Sequence, residues 1–133
     1  MLRVSTKFLT GDDMKLIVAG SRNFMNYETV AAAIDTLISQ GMDVTAIIEG
    51  ASRGVDRLAS QYAREHGIEN IRMPADWKVF NRGAGPVRNR KMAEMGDALL
   101  AFWDGTSSGT QNMIQAAQNR GLPVTVIYVN SET

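Results

Sequence analysis

Three short apolar runs in this chain each end in a glycine-rich turn that is followed by a helical pattern. They are LIVAG-SRN, AIIEG-ASRG-VD and ALLAFWDG-TSSGT, and a fourth stretch, AGPVRNRK, also leads into a helical pattern. A turn from strand to helix directs free backbone N–H groups, at the positive end of a helix dipole, towards one place. In open α/β folds such turns lie at one edge of the sheet, where ligands bind. The pattern therefore predicts a site for a phosphate-bearing ligand.

The order of these patterns predicts the fold class α/β, as a single Rossmann-like three-layer sandwich with a five-stranded, mainly parallel sheet. Apolar runs of strand length alternate with helical patterns, as in βαβ units. The predicted strands are 15–20, 44–49, 70–73, 98–103 and 124–129, and the predicted helices are 27–40, 55–66 and 110–119. For five strands we expect the order 3-2-1-4-5, with the switch point between strands 1 and 4.

The chain is expected to form one domain over residues 14–133, after an N-terminal extension of residues 1–13 with no assigned role. Residues 74–86 are predicted to be irregular, and they contain Trp77 and Phe80. Two interpretations stay open for these aromatic side chains. They fold back over a core edge, or they form a lid whose ring stacks on a base.

Composition narrows the function classes. The 14 Lys and Arg residues balance 14 Asp and Glu residues, which argues against nucleic acid as a partner. Ten of the basic residues are Arg, which suits bidentate phosphate contacts. With no Cys and a single His, the chain lacks a thiolate zinc site, a Cys nucleophile and an all-histidine metal site, so we expect no metal. No apolar stretch reaches the roughly 20 residues of a membrane span, and a cytoplasmic protein is expected.

Each turn offers specific groups to a ligand. In GSRN, Gly20 permits close backbone approach, while Ser21 and Arg22 are donors for a phosphate. In EGASRGVD, Asp56 either caps the helix or contacts a ribose hydroxyl. The loop from Gly105 to Gly109 is rich in hydroxyl groups that can surround a phosphate. It lacks the ending of a Walker A loop, and the first turn is not GxGxxG, so neither P-loop hydrolysis nor dinucleotide redox chemistry is indicated.

The motifs GSRNF, EGASRGVDRLA, ADW, AGPVRN and AFWDGTSSGT, in this order, resemble the YspA-like (DUF2493) branch of the SLOG superfamily, which is related to the DprA and lonely-guy proteins. The resemblance implies a Rossmann-like domain that binds a nucleotide or a nucleotide-derived, NAD-like molecule. It also implies a homodimer. No cofactor beyond such a ligand is expected.

The lonely-guy enzymes, which are nucleoside 5′-monophosphate phosphoribohydrolases, have a catalytic glutamate that this chain lacks, and the loop of this chain has one extra residue. By resemblance, Arg88 matches their motif arginine, and Gly105, Gly109 and Thr110 match their loop. Their catalytic glutamate should follow directly, but this chain has Gln111 and the residues after it are Asn112 and Met113. An amide cannot supply the negative charge of that carboxylate.

This difference leaves three hypotheses, of which binding as a sensor or sequestering protein is favoured. The second is an N-glycosidic hydrolase that uses another acid. The candidate acids are Asp56, Asp76, Asp104 and Glu49. The third and weakest is a DprA-like module associated with nucleic acid.

The predicted ligand site combines all four turns. Arg22 and Arg88 are expected to neutralise phosphate, Asn89 to bond a ribose or phosphate oxygen, and Trp77 to stack on the base. We also expect Arg88→Ala to weaken binding and leave the fold intact. The full set is Gly20, Ser21, Arg22, Asn23, Gly50, Ala51, Gly54, Asp56, Trp77, Arg88, Asn89, Gly105, Thr106, Ser108, Gly109 and Thr110.

Overall fold

A five-stranded parallel sheet forms the centre of the molecule. The structure is a computed structural model, which describes residues 13–130. The strands are β1 Asp13–Gly20, β2 Asp43–Glu49, β3 Glu69–Arg72, β4 Ala98–Trp103 and β5 Val124–Tyr128. Their order is β3-β2-β1-β4-β5, and every neighbouring pair is parallel. The predicted α/β class and strand order are confirmed, with the switch point between β1 and β4.

Helices cover both faces of the sheet. They are α1 Tyr27–Ser39, α2 Val55–Glu65, α3 Trp77–Phe80, α4 Ala84–Met95 and α5 Ser108–Asn119, with a 3₁₀ turn at Asn81–Gly83. Buried residues of α1 and α2 form one cluster with Leu16 and Val18 of β1. Residues of α4 and α5 form a second cluster with Ile17 and Ala19. This alternation along β1 follows from the two-residue period of a strand whose two faces are both buried.

The stretch predicted to be irregular, residues 74–86, is mostly helical. The Asp76 carboxylate accepts a hydrogen bond from the Val79 N–H at 3.2 Å and so begins α3. The helix α4 then begins at Ala84, and Pro86 lies in its first turn, where a missing N–H group removes no helical hydrogen bond. The glycine and proline residues therefore mark the start of a helix, and the predicted loop is wrong here.

Other differences from the sequence prediction are small. The sequence has Val30, Ile34, Leu37 and Ile38 at helical spacing, and α1 buries the first three of them, whereas Ile38 is 39% exposed. Strand β1 already begins at Asp13, the last residue of the predicted extension. Residues 1–12 of that extension lie outside the described residues. Across residues 13–130, no helix is long and apolar enough to cross a membrane.

Candidate functional site

A cavity of about 750 Å³ opens at the carboxyl ends of β1 and β4, beside the switch point. Its volume is in the usual range for small-molecule sites. Eleven of the sixteen predicted site residues line it: Gly20, Ser21, Arg22, Asn23, Asp56, Trp77, Arg88, Asn89, Ser108, Gly109 and Thr110. The cavity is thus lined by the turns that follow β1 and β4, by the start of α2 and by the α3–α4 segment.

Five predicted residues do not line the cavity, and their neighbours indicate what they do instead. They are Gly50, Ala51, Gly54, Gly105 and Thr106. Gly54 has a φ of +76°, and a Cβ atom there would lie 2.4 Å from the Ser21 carbonyl oxygen. The second turn therefore packs directly against the first turn, and Gly54 supports the cavity from behind.

Glu49, at the end of β2, organises the second turn. Its carboxylate is fully buried and accepts a hydrogen bond from the Ala51 N–H at 2.6 Å. The same carboxylate contacts Arg72 at 2.9 Å and accepts from Asn70 at 3.2 Å. Ala51 has a φ of +63°, a left-handed conformation that non-glycine residues seldom adopt. Because its carboxylate oxygens are occupied in this way, Glu49 holds that turn in place and does not line the cavity.

Arg88 links α4 to the second turn. Its guanidinium donates to the Gly50 carbonyl oxygen at 2.6 Å and to the Met73 carbonyl oxygen at 3.4 Å. A Cβ at residue 50 would lie 2.3 Å from an Arg88 nitrogen, so any larger residue there would displace the guanidinium from this contact. Burial lowers the pKa of Arg88, an effect that the Asp56 carboxylate opposes. Removing this side chain would leave buried acceptors unpaired, so Arg88→Ala is now expected to reduce stability as well as binding.

Asn89 connects α4 with α5. Its side-chain amide donates to the Asn112 oxygen at 2.9 Å and to the Gly109 carbonyl at 3.4 Å. Its oxygen accepts from the Arg88 Nε at 2.9 Å. Asn89 is 3% exposed, and these bonds fix the orientation of Arg88 relative to the start of α5.

The turn between β4 and α5, residues 104–107, leaves the start of α5 open to a ligand. The Asp104 carboxylate accepts from the Thr106 N–H at 2.9 Å and from the Ser107 N–H at 2.7 Å. No side chain caps α5, and its first N–H bond runs from Gln111 to the Ser107 carbonyl. The N–H groups at 108–110 consequently have no partner within the helix, and they lie where an anion is favoured.

The four candidate acids occupy different environments. Asp76 caps α3 and lies outside the cavity, and Glu49 is buried behind it. Asp104 lines the cavity, but the Ser107 and Thr106 N–H groups lower its pKa, so it stays ionised at neutral pH. Burial raises the pKa of Asp56 to about 7, and repulsion from the Glu49 carboxylate also raises it. The Ser52 N–H and the positive charge of Arg88 act in the opposite direction and lower it. Asp56 alone among the four lines the cavity with a raised pKa.

The pKa of Asp56 predicts a pH dependence of stability. A carboxyl group whose pKa is about 7 when folded and 3.8 when unfolded binds a proton more tightly in the native state. Its stabilising contribution is present below about pH 4 and is lost as the pH rises to about 7. Urea unfolding of the parent should therefore lose stability over this window relative to Asp56→Asn, by on the order of a few kcal/mol.

The opposite trend serves as the control for this prediction. Asp104, whose pKa is lowered, contributes stability that is lost on acidification, so Asp104→Asn should differ most from the parent at neutral pH. If the parent and Asp56→Asn give parallel curves of unfolding free energy against pH, the assigned environment of Asp56 is wrong.

The comparisons with known proteins agree with this architecture. The model of the YAcAr family, described as the YspA, cpYpsA-related SLOG family, matches residues 14–80. The gene 61 protein of Mycobacterium phage D29 is 32% identical over 117 residues, which cover 83% of this chain and 93% of that protein. The chain belongs to the YspA-related SLOG family.

A solved structure extends the comparison to the fold of this SLOG protein. DNA processing protein A (DprA) from Helicobacter pylori, described for its single-stranded DNA binding mode, superposes with a TM-score of 0.56 at 19% identity. The match covers 92% of this chain and 68% of that chain. The fold of this chain is thus one that also occurs in a single-stranded DNA binding protein. Family and fold together support a role related to nucleotides or nucleic acids.

The DprA neighbour corrects one prediction. The balanced charge argued against nucleic acid as a partner, and that prediction is contradicted because a protein of this fold binds single-stranded DNA. Formal net charge sums over the whole surface, whereas binding depends on the charge at one place. In this SLOG protein the cationic side chains Arg22, Arg82 and Arg88 all line one cavity.

Sequence reasoning missed several residues that line the cavity of this SLOG domain. They are Ala19, Ser52, Arg82, Gly85, Pro86, Met92, Asp104, Ser107, Asn112 and Met113, of which Asp104 was considered only as an acid. Arg82 lies in the stretch predicted to be irregular, and no local sequence pattern indicated that it would line the cavity. Among residues 13–130, no group of three or more His, Cys, Asp or Glu side chains could hold a metal ion.

Proposed function

We propose that this SLOG domain binds a nucleotide or a nucleotide-derived small molecule, such as an NAD-like molecule, as a sensor or sequestering protein. The observation that carries the proposal is the convergence of Arg22, Arg82 and Arg88 with the uncapped start of α5 in one cavity. Arginine and free helix N–H groups are the donors that phosphate oxygens bind best.

The phosphate is proposed to lie between the start of α5 and Arg22. The N–H groups of Ser108, Gly109 and Thr110 have no partner within the helix, and Arg22 and Arg82 are exposed side chains at the cavity wall. Arg88 lines the same cavity and contributes positive charge there, while its hydrogen bond to the Gly50 carbonyl holds the second turn in place. Exposed arginines can turn towards a ligand with little loss of protein contacts.

The ribose and base are proposed to lie towards α2 and α3. The Asp56 carboxyl lines the cavity and accepts a hydrogen bond from the Ser52 N–H at 3.2 Å, and the two oxygens of a carboxyl group have acceptor capacity for a ligand hydroxyl group as well. Trp77 lines the same cavity and is 52% exposed, so its ring offers a face to a base. The DprA neighbour, which binds a polymer of nucleotides, also supports a nucleotide unit as the ligand class.

Calorimetric titration of the whole chain with 5′-AMP, NAD and adenosine tests this proposal. Adenosine, which lacks the phosphate, should bind about tenfold or more weakly than 5′-AMP, since one charge-assisted hydrogen bond contributes about 1.5–3 kcal/mol. Trp77→Ala should weaken AMP binding roughly tenfold, whereas Phe80→Ala, an exposed aromatic outside the cavity, should leave it unchanged. Equal affinities for AMP and adenosine would overturn the phosphate assignment.

A second candidate function is N-glycosidic hydrolysis of a nucleoside 5′-monophosphate, which Asp56 favours. A buried carboxyl with a pKa of about 7 is suited to transfer a proton near neutral pH. In this candidate, the glycosidic bond breaks, the base leaves with a proton from Asp56, and water adds to the ribose C1′ and gives up a proton that restores Asp56. Gln111 follows Thr110 where related hydrolases would have glutamate, so Asp56 would have to act without that carboxylate.

Incubation of the chain with AMP and detection of free adenine separates the two candidates. The hydrolase predicts base release that Asp56→Asn abolishes and that Asp76→Asn, which alters an acid outside the cavity, preserves. Binding without any base release favours the sensor or sequestering role.

A further inference from the structure

A cationic and aromatic surface lies beside the cavity and shares Trp77 and Arg82 with the proposed nucleotide site. Five of the 14 basic residues fall within residues 77–91, a segment of 15 residues without Asp or Glu. We define the α3–α4 surface by its exposed side chains Trp77, Lys78, Phe80, Arg82, Arg90 and Lys91. A chain with zero net charge therefore concentrates positive charge in one segment.

The aromatic rings of this surface are open to solvent. Trp77 is 52% and Phe80 is 40% exposed, and neither belongs to the two buried clusters described for residues 13–130. The Lys91 Nζ lies 5.9 Å from the centre of the Phe80 ring. Thus a cation and an aromatic face are held next to each other without filling the core.

Two acids, Asp76 and Glu94, border this segment in sequence. Asp76 directly precedes the segment, and its carboxylate is engaged by the Val79 N–H at the start of α3. Glu94 is exposed one helical turn after Arg90 and Lys91, towards the end of α4. Counting both acids, residues 76–94 still hold five basic residues against two acidic ones.

We propose that the α3–α4 surface binds single-stranded nucleic acid. Exposed rings stack on unpaired bases of any sequence, and interleaved Lys and Arg side chains bind the phosphates between them. A duplex offers phosphates but keeps its bases stacked, so it gives Trp77 and Phe80 no partner. Trp77 and Arg82 also line the cavity, so the surface continues into it, and a bound strand would pass over the cavity rim.

Fluorescence anisotropy with labelled dT15, rU15 and a 15-base-pair duplex tests the proposal on the whole chain. The single strands should bind more tightly than the duplex, with affinity that falls as salt rises. Phe80→Ala should weaken binding of dT15 by roughly fivefold or more, because one base loses its stacking partner. Lys91→Glu should weaken it at least as much, and Lys78→Glu provides a second charge reversal on an exposed position should the first variant not fold.

The matched control is Arg120→Glu, which reverses an exposed charge at the other end of α5 from the cavity. It should leave dT15 binding nearly unchanged. Equal weakening by Arg120→Glu and Lys91→Glu, equal affinity for the duplex, or equal affinity for a 15-residue poly-glutamate would each overturn the proposal. Absence of dT15 and rU15 binding would also overturn it, and AMP titration of the same sample would report separately on the nucleotide site.

Discussion

Replacing Arg22 and Arg82 together by alanine should weaken AMP binding by about a hundredfold or more. Both side chains line the cavity and are exposed, so each is available to a phosphate. A charge-assisted hydrogen bond contributes about 1.5–3 kcal/mol, and about 1.4 kcal/mol corresponds to a factor of ten in affinity. Because neither residue packs in the core, the free energy of unfolding should change by less than about 0.5 kcal/mol.

Calorimetry with AMP, together with urea unfolding of the same samples, checks this expectation. Arg120→Ala removes an exposed arginine far from the cavity and should leave AMP affinity unchanged. If the double variant binds AMP as the parent does, the phosphate is not held by these arginines. A large loss of stability would instead assign the two arginines a structural role.

Gly54→Ala should destabilise the fold by about 3 kcal/mol or more and should also impair ligand binding. The backbone at residue 54 has φ +76° and ψ −131°, a combination that is essentially restricted to glycine. A Cβ there would lie 2.4–2.5 Å from the backbone atoms of Ser21 and Arg22. Either the second turn or the first must move, and the first turn carries Arg22.

Gly67→Ala provides the matched control for this prediction. Its φ of +65° is also positive, but a Cβ there would meet no atom within 4 Å. It should therefore cost only about 1–2 kcal/mol for the left-handed conformation. Chemical unfolding of both variants separates close packing from backbone conformation. Similar losses for the two would contradict the packing of the second turn against the first.

The sequence was sufficient to predict the frame of this molecule. The apolar runs, alternating with helical patterns, reflect burial directly and predicted the five strands and their order. The glycine-rich turns predicted the edge of the sheet at which the cavity opens. The helix α3 escaped prediction because four residues are too few for a helical period. Its start depends on one capping side chain, Asp76, within a segment rich in turn residues.

The roles of individual site residues were harder to predict because they depend on contacts between distant parts of the chain. Arg88 donates to Gly50, which is 38 positions away, and Asn89 donates to Asn112, which is 23 positions away. Local patterns do not contain such pairings. Gly50 and Gly54 were predicted to belong to the ligand site, whereas in the structure Gly50 lies against the Arg88 guanidinium and Gly54 lies against the first turn.

The formal charge was a poor guide for the same reason. Equal numbers of acids and bases argued against nucleic acid, but arginines converge at the cavity and further cations lie on the α3–α4 surface. Several carboxylates are occupied within the protein, since Glu49 contacts Arg72 and Asp104 accepts backbone N–H groups. The charge that a ligand meets therefore differs from the charge that composition gives.

Backbone amide NMR of the ¹⁵N-labelled chain, titrated with AMP and with adenosine, tests the central claim most directly. If phosphate binds at the start of α5, AMP should shift the amide signals of Ser108, Gly109 and Thr110 strongly, because their N–H groups gain an anionic acceptor. Adenosine should leave these three signals nearly unchanged. Strong AMP-induced shifts elsewhere, with the signals of residues 108–110 unmoved, would contradict the proposed nucleotide site.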